Sequence, residues 1–199
     1  MHILFLTDNF TPEVNAPATR TYEHAIRWVR DDCEVTIITG VPNFPEGKIY
    51  PGYKNSWYQR EEIDGIQVVR VKTYITANEG FFLRTLDYLS FMVTGFMAGL
   101  FQKRFDVIVA TSPQFFTVCA GWMLSVFCRK PFVFELRDIW PASIVAVGAM
   151  RGNHLVEWLE KLELFLYRKS DAIISVTESF KKDLIKRGVD RRKISVILN

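Results

Sequence analysis

Short unbroken apolar runs alternate along the chain with longer stretches whose apolar residues recur at helical spacing. His2 to Thr7 is a continuous apolar run, as a strand covered on both faces requires. Over Pro17 to Arg30, Ala25, Ile26 and Val29 form an apolar stripe and Pro17 suits a first turn, which predicts a helix. Glu34 to Thr39 reads as a second strand, and the strand–helix–strand opening implies a right-handed crossover onto a parallel sheet. Val41 to Ser56, rich in Pro, Gly, Asn and Tyr, is expected to be an irregular loop. Trp57 to Lys72 has two alternating runs around Asp64-Gly65, which predicts an antiparallel edge ribbon. Further strands are expected over 106–110, 132–136, 171–176 and 194–198. Helices are expected over 81–105, 115–128, 154–169 and 180–187, with a helical turn over 142–150. The sum is a doubly wound α/β domain. The last strand has no following helix to cover it, so the chain is expected to be cut at a junction.

The polar residues cluster where the predicted strands end. After Phe132 to Leu136 come Arg137, Asp138 and Trp140 together, and Pro141 stops the extended run. Ligands of open α/β sheets sit beyond the carboxyl ends of the strands, so this exit is placed to be a site. An Arg–Asp pair pinning a loop under a Trp140 lid fits the same residues equally well. Thr111-Ser112-Pro113-Gln114 is a second polar exit, and Thr177-Glu178-Ser179 a third that also caps the next helix. The first loop, Asp8 to Pro17, has no G-x-G-x-x-G, which argues against a dinucleotide-binding dehydrogenase. A helix N-terminus can still face an anion there, although Asn15's own side chain reads first as a helix cap. Asp8, Thr11, Asp138 and Thr177 are expected along one rim.

Composition adds limits. A net charge of +3 is too small to argue for nucleic acid. The three cysteines, Cys33, Cys119 and Cys128, lack metal-like spacing and read as buried free thiols of a reducing cytoplasm. His2, His24 and His154 lack ligand spacing and read as structural. The chain contains 16 Phe and 5 Trp, and the segment 81–105 is apolar around most of its circumference. That segment is either sandwiched in the core or meets a membrane or partner on one side. Phe81, Phe82, Arg84, Lys103 and Arg104 are the membrane-docking candidates, since aromatic and basic residues favour the headgroup zone.

Three stretches resemble one family: Met1 to Asp8 with Phe10-Thr11-Pro12-Glu13 and Ala18-Thr19-Arg20; Phe134 to Pro141; and Ser170 to Thr177 running through Gly188-Val189 to Lys193–Asn199. They are similar to the N-terminal domain of GT-B glycosyltransferases of family 4 (group 1), nearest the bacterial fucosamine-transferase type used in O-antigen and capsule assembly. The resemblance implies a Rossmann-like, mostly parallel sheet with helices on both faces and an antiparallel hairpin insertion, one acceptor-binding domain over 1–199. It implies a retaining sugar transfer whose nucleotide-sugar co-substrate, UDP-linked, is held mainly by a C-terminal domain, so this fragment alone is expected to be inactive. Asn15-Ala16-Pro17 stands where many members have a Gly-Gly pair. Asp138 is the implied catalytic residue, orienting the acceptor hydroxyl. Glu13, Asn15, Arg20, Thr111, Ser112, Arg137, Trp140, Thr177 and Glu178 are the implied substrate-binding residues. No metal and no resident cofactor are expected. The implied partners are a saccharide or lipid-diphosphate acceptor and the cytoplasmic face of the inner membrane, and not nucleic acid. Rival readings are a non-catalytic acceptor or anchoring subunit of a split enzyme, another GT-B enzyme such as a sugar-nucleotide epimerase, or a plain doubly wound signalling or flavin domain.

Overall fold

A computed structural model describes residues 1–76, 81–102, 104–139 and 154–198. The strands are β1 (His2–Leu6), β2 (Glu34–Gly40), β3 (Tyr58–Ile63), β4 (Ile66–Val71), β5 (Val107–Thr111), β6 (Phe132–Leu136), β7 (Ala172–Ser175) and β8 (Ile194–Val196). The helices are α1 (Ala16–Arg30), α2 (Phe81–Leu100), α3 (Phe115–Cys128), α4 (His154–Lys169) and α5 (Glu178–Lys186). The expected bounds hold closely, except that α2 stops at Leu100, well short of 105. The turn expected over 142–150 lies outside the described residues.

The strands form one eight-stranded sheet in the order β3-β4-β2-β1-β5-β6-β7-β8. All neighbours are parallel except β3 and β4. Their turn is Asp64-Gly65, both with positive φ (51° and 82°), the backbone that a two-residue hairpin with native twist demands. The hairpin lies at one edge of the sheet, as an antiparallel edge ribbon should: β3 is the outermost strand there, and β4 joins it to the parallel body by pairing with β2. The reason is composition. Five of the six residues of β4 are buried, whereas β3 alternates between exposed and half-buried positions.

Strand side chains alternate between faces, so each strand feeds two cores. On one face Ile3, Phe5, Val35, Ile37, Val68 and Val109 pack under α1 through Tyr22, Ala25, Ile26 and Trp28. On the other, Leu4, Leu6, Ile38, Ile108, Phe132 and Phe134 pack against Phe91, Val118, Leu124, Leu166 and Leu184 of α2 to α5. Helix α3 sits especially close to the sheet. A Cβ on Gly121 would come within 2.7 Å of the Ala110 Cβ.

Helix α2 answers its own ambiguity in both directions. Phe91 and Ala98 are buried, while Leu83, Leu86, Val93 and Met97 on its outer side are exposed. Among the described residues no helix is long and apolar enough to cross a membrane. Of the cysteines only Cys119 is fully buried, its thiol pushed up to about 12 by burial. Cys33 and Cys128 are half-buried, because they sit at the ends of their elements and not between layers.

Candidate functional site

The parallel strands aim the carboxyl ends of β1, β5, β6 and β7 at one edge of the sheet, so the three polar exits and the first loop share a rim. The order reverses between β1 and β5, which leaves a crevice between their exits.

Two buried carboxylates frame this rim. Glu13 is buried; its Oε1 accepts from the backbone N–H of Asn43 (2.8 Å) and Phe44 (2.9 Å), and its Oε2 accepts from Asn9 Nδ2 (2.9 Å). It therefore ties the first loop to the loop after β2 and is a strut, not an open wall of the cleft, a correction to its expected substrate contact. Arg70 of β4 reinforces the tie by donating to the Thr11 carbonyl and, at 3.0 Å, to the Gly40 carbonyl.

The second carboxylate, Glu135, lies in the buried β6, two residues before Arg137. Arg20 of α1 donates through Nη2 to Glu135 Oε2 (2.9 Å) and to Thr111 Oγ1 (3.4 Å), and His24 Nδ1 lies 3.7 Å from Glu135 Oε1. The Arg20 side chain is only 10% exposed and its Nε has no partner. Burial pulls the Arg20 pKa down to about 10 against the opposing pull of Glu135. Burial also lowers His24, again opposed by Glu135, with Arg20 adding to the fall, which favours a neutral imidazole.

Ser112 positions the chain that follows β6. Its Oγ accepts from the backbone N–H of Arg137 (2.8 Å) and of Asp138 (3.3 Å), while its own N–H donates to the Glu135 carbonyl (3.0 Å). Thr111 Oγ1 donates to the Ser112 carbonyl (3.0 Å). Thr111 and Ser112 are buried, so they brace Arg137 and Asp138 from behind; those two are half-buried at the rim. Gln114 closes the crevice, donating through Nε2 to Asp8 Oδ2 (2.9 Å) and Asn9 Oδ1 (3.5 Å).

Two expected contacts resolve as caps. Asn15 Oδ1 accepts from the Ala18 N–H (2.9 Å) and Thr177 Oγ1 from the Phe180 N–H (3.1 Å), so each satisfies a helix N-terminus. Glu178, in the first turn of α5, is exposed. Trp140 and Lys103 lie outside the described residues, as do the side chains of Phe81 and Phe82.

The amino-terminal half of α2 also reaches this rim, which the sequence did not reveal. Burial raises Asp8 well above the usual carboxylate range, and the charges of Asp87 and Glu13 add to the rise. Burial likewise raises Asp87 to about 7; Arg84 opposes the shift and Glu13 adds to it. Arg84 also donates to the Tyr88 hydroxyl (3.1 Å), so it belongs to the rim as much as to any lipid-facing surface. Asn9, His24, Asp87 and Glu135 are thus site residues missed by sequence reasoning, which had Gln114 only as part of a polar strand exit. Two signals were available: Glu135 is a lone acid in an apolar strand, and His24 stands at i+4 from Arg20 on the same helix face.

Among the described residues no group of three or more His, Cys, Asp or Glu is arranged to hold a metal ion. A cleft of about 510 Å³ lies beside the edge strand, lined by Gly52, Tyr53, Gln59, Arg60, Glu61 and Arg70.

With this geometry in place, three comparisons bear on the chain. The family profile described as "Glycosyl transferase 4-like domain" matches residues 15–199. The chain is 24% identical over 195 residues to WcaI of Escherichia coli, named as a colanic acid biosynthesis glycosyl transferase, covering 95% of this chain and 47% of WcaI. Its fold is similar to that of HepE from Anabaena, solved with UDP-glucose, at a TM-score of 0.58 and 17% identity over 100% of this chain and 44% of HepE. It is similar also to the UDP-GlcNAc 2-epimerase of Methanocaldococcus jannaschii, at a TM-score of 0.51 and 16% identity over 99% of this chain and 45% of the epimerase. The chain spans about half the length of each of these relatives.

Proposed function

The chain belongs to the glycosyl transferase 4-like domain family, and from that premise we propose that it is the acceptor-binding half of a retaining glycosyltransferase. The observation that carries the reading is the bracing of Arg137 and Asp138 by Ser112 at the mouth of the strand-order reversal. A backbone fixed in this way roots both charged side chains at the crevice, and positioned charge is what sugar transfer asks of a protein.

On this proposal the acceptor hydroxyl donates a hydrogen bond to the Asp138 carboxylate, which aims the oxygen at the anomeric carbon of the donor sugar. The new C–O bond forms on the face from which the diphosphate departs. The bond to the diphosphate breaks, and as it does the hydroxyl hydrogen turns from Asp138 to that leaving group, which takes the proton. Arg137 supplies a planar fork for a phosphate of the acceptor. Arg20 and Glu135 neutralise each other beneath the site and hold α1 against the β5 and β6 exits. The donor is UDP-linked and is held mainly by a second Rossmann-like half; the UDP-glucose bound by HepE supports that donor class. The acceptor is a lipid-linked saccharide of bacterial surface polysaccharide synthesis at the cytoplasmic face of the inner membrane. The name of WcaI supports this setting.

The test is Asp138→Asn in the protein together with its donor half, assayed for UDP release and a new glycoside. Loss of the carboxylate charge that holds the hydroxyl lowers turnover by about 100-fold and leaves the melting temperature unchanged. Turnover within twofold of the parent ends this assignment. UDP release with no glycoside formed points to the epimerase class instead.

A further inference from the structure

The outer side of α2 carries Leu83, Leu86, Ser90, Val93 and Met97, and Phe101 continues the line just past the helix end. Steps of three and four residues keep these positions on one face. That face is separate from the one that buries Phe91 and Ala98. Val93 is 56% exposed, Met97 47% and Phe101 66%. The carboxyl end of α3 extends the surface sideways. Phe127, 70% exposed, meets Phe96 of α2 edge-on at 6.2 Å, and its neighbour Val126 is also exposed. A soluble surface does not ordinarily expose so many large apolar groups side by side.

The charges around this surface identify what covers it. Arg104 follows Phe101, and Arg129 and Lys130 follow Phe127. Arg104 and Arg129 are exposed, and both take the left-handed backbone (φ 64° and 54°) at the turns that follow α2 and α3. Arg60 reaches the same corner through Gln102. The described residues of the apolar line itself include no acid. Of the acids nearby in sequence, Asp87 lies on α2 at the rim, and Asp106 accepts the His2 N–H at 2.7 Å.

We infer that α2 lies flat on an anionic lipid bilayer, with Val93, Met97, Phe101, Val126 and Phe127 entering the headgroup–acyl boundary and Arg104, Arg129 and Lys130 pairing with lipid phosphates. Apolar side chains flanked by cations are the pattern that binds such interfaces in plane. Arg104 is shared with the sequence-based docking set of Phe81, Phe82, Arg84, Lys103 and Arg104, whereas the apolar contacts now come from the outer side of α2 and the end of α3. It also brings the rim residues Arg84, Asp87 and Tyr88, on the same helix, close to the lipid surface. The inference deepens the reading of a lipid-linked acceptor and rests on it for its biological sense, but its test involves no sugar transfer.

The experiment is flotation of the 199-residue chain with vesicles of phosphatidylcholine alone and of phosphatidylcholine with 30% phosphatidylglycerol. The chain is expected to float with the anionic vesicles and to be released at 0.5 M salt. Phe101→Ser with Phe127→Ser is expected to weaken binding about tenfold. Arg104→Gln with Arg129→Gln is expected to weaken it about tenfold on anionic vesicles only. All these positions are exposed, and circular dichroism checks that each variant keeps its fold. No flotation with anionic vesicles, or flotation unchanged in Phe101→Ser/Phe127→Ser, overturns the inference. So does a concentration-dependent dimer that the same double variant abolishes while vesicle binding persists, since the apolar surface then covers a second copy. Vesicle binding by a protein that proves to transfer no sugar leaves this inference standing and removes only the proposed function.

Discussion

Arg20 and Glu135 sit almost out of water and bind each other, so neither can be removed alone without stranding the other. Arg20→Met is expected to cost about 3 kcal/mol of stability, and Arg20→Met with Glu135→Met to recover most of it, because the paired removal leaves no buried charge. Urea unfolding midpoints read both. Asp87 makes the opposite case. Its folded pKa is raised to about 7, so between about pH 4 and pH 7 the folded state holds a proton that the unfolded state releases. Stability therefore falls as pH rises through that window. Asp87→Asn removes this penalty: it is expected to be near neutral at pH 4 and to stabilise by about 2 kcal/mol at pH 8. Equal effects at the two pH values would contradict the buried carboxyl. Neither Asp87 nor Glu135 was legible in the sequence as a site residue. Asp87 lay inside a helix that read as a lipid or core surface, and Glu135 inside a strand that read as packing. Their roles come from which elements face each other, which periodicity does not encode. Arg137 and Asp138 were legible because they follow an unmistakable buried strand, and a strand's exit is fixed once its direction is known.

Elements were easier to read than contacts. Helix α3 was placed at its observed bounds by a strongly apolar stretch set off from the strands by the turn at 111–114 and by Pro131. Its packing distance was not foreseeable, because it depends on Gly121 meeting Ala110 of β5. Gly121→Val is expected to push α3 off the sheet and cost about 2–3 kcal/mol, read by thermal unfolding. The hairpin and its place at the sheet edge were legible from Asp64-Gly65 and the alternating runs beside it, but the partner of β4 was not. The buried run of β4 makes it an interior strand, and only register with β2 shows this. Helix α2 is apolar on two sides for two reasons, one face meeting the sheet and the other left outward. Hydropathy along the sequence adds these faces together and cannot separate them.

The whole chain is a parallel sheet with one working edge. Its two cores stiffen the strands, and the strands carry Asp8, Ser112, Arg137 and Asp138 to a common rim where α1 and the amino-terminal half of α2 meet them. The chain belongs to the glycosyl transferase 4-like domain family, and on the proposed function this rim presents the acceptor. The most direct test is amide NMR of the isotopically labelled 199-residue chain, titrated with a short-chain polyprenyl-diphosphate-linked N-acetylhexosamine. The account predicts shifts confined to residues 8–15, 84–88, 111–114 and 135–139, lost in Asp138→Ala and weakened in Arg137→Gln. Shifts that gather instead at the cleft beside β3, or persist at the rim in both variants, would contradict it.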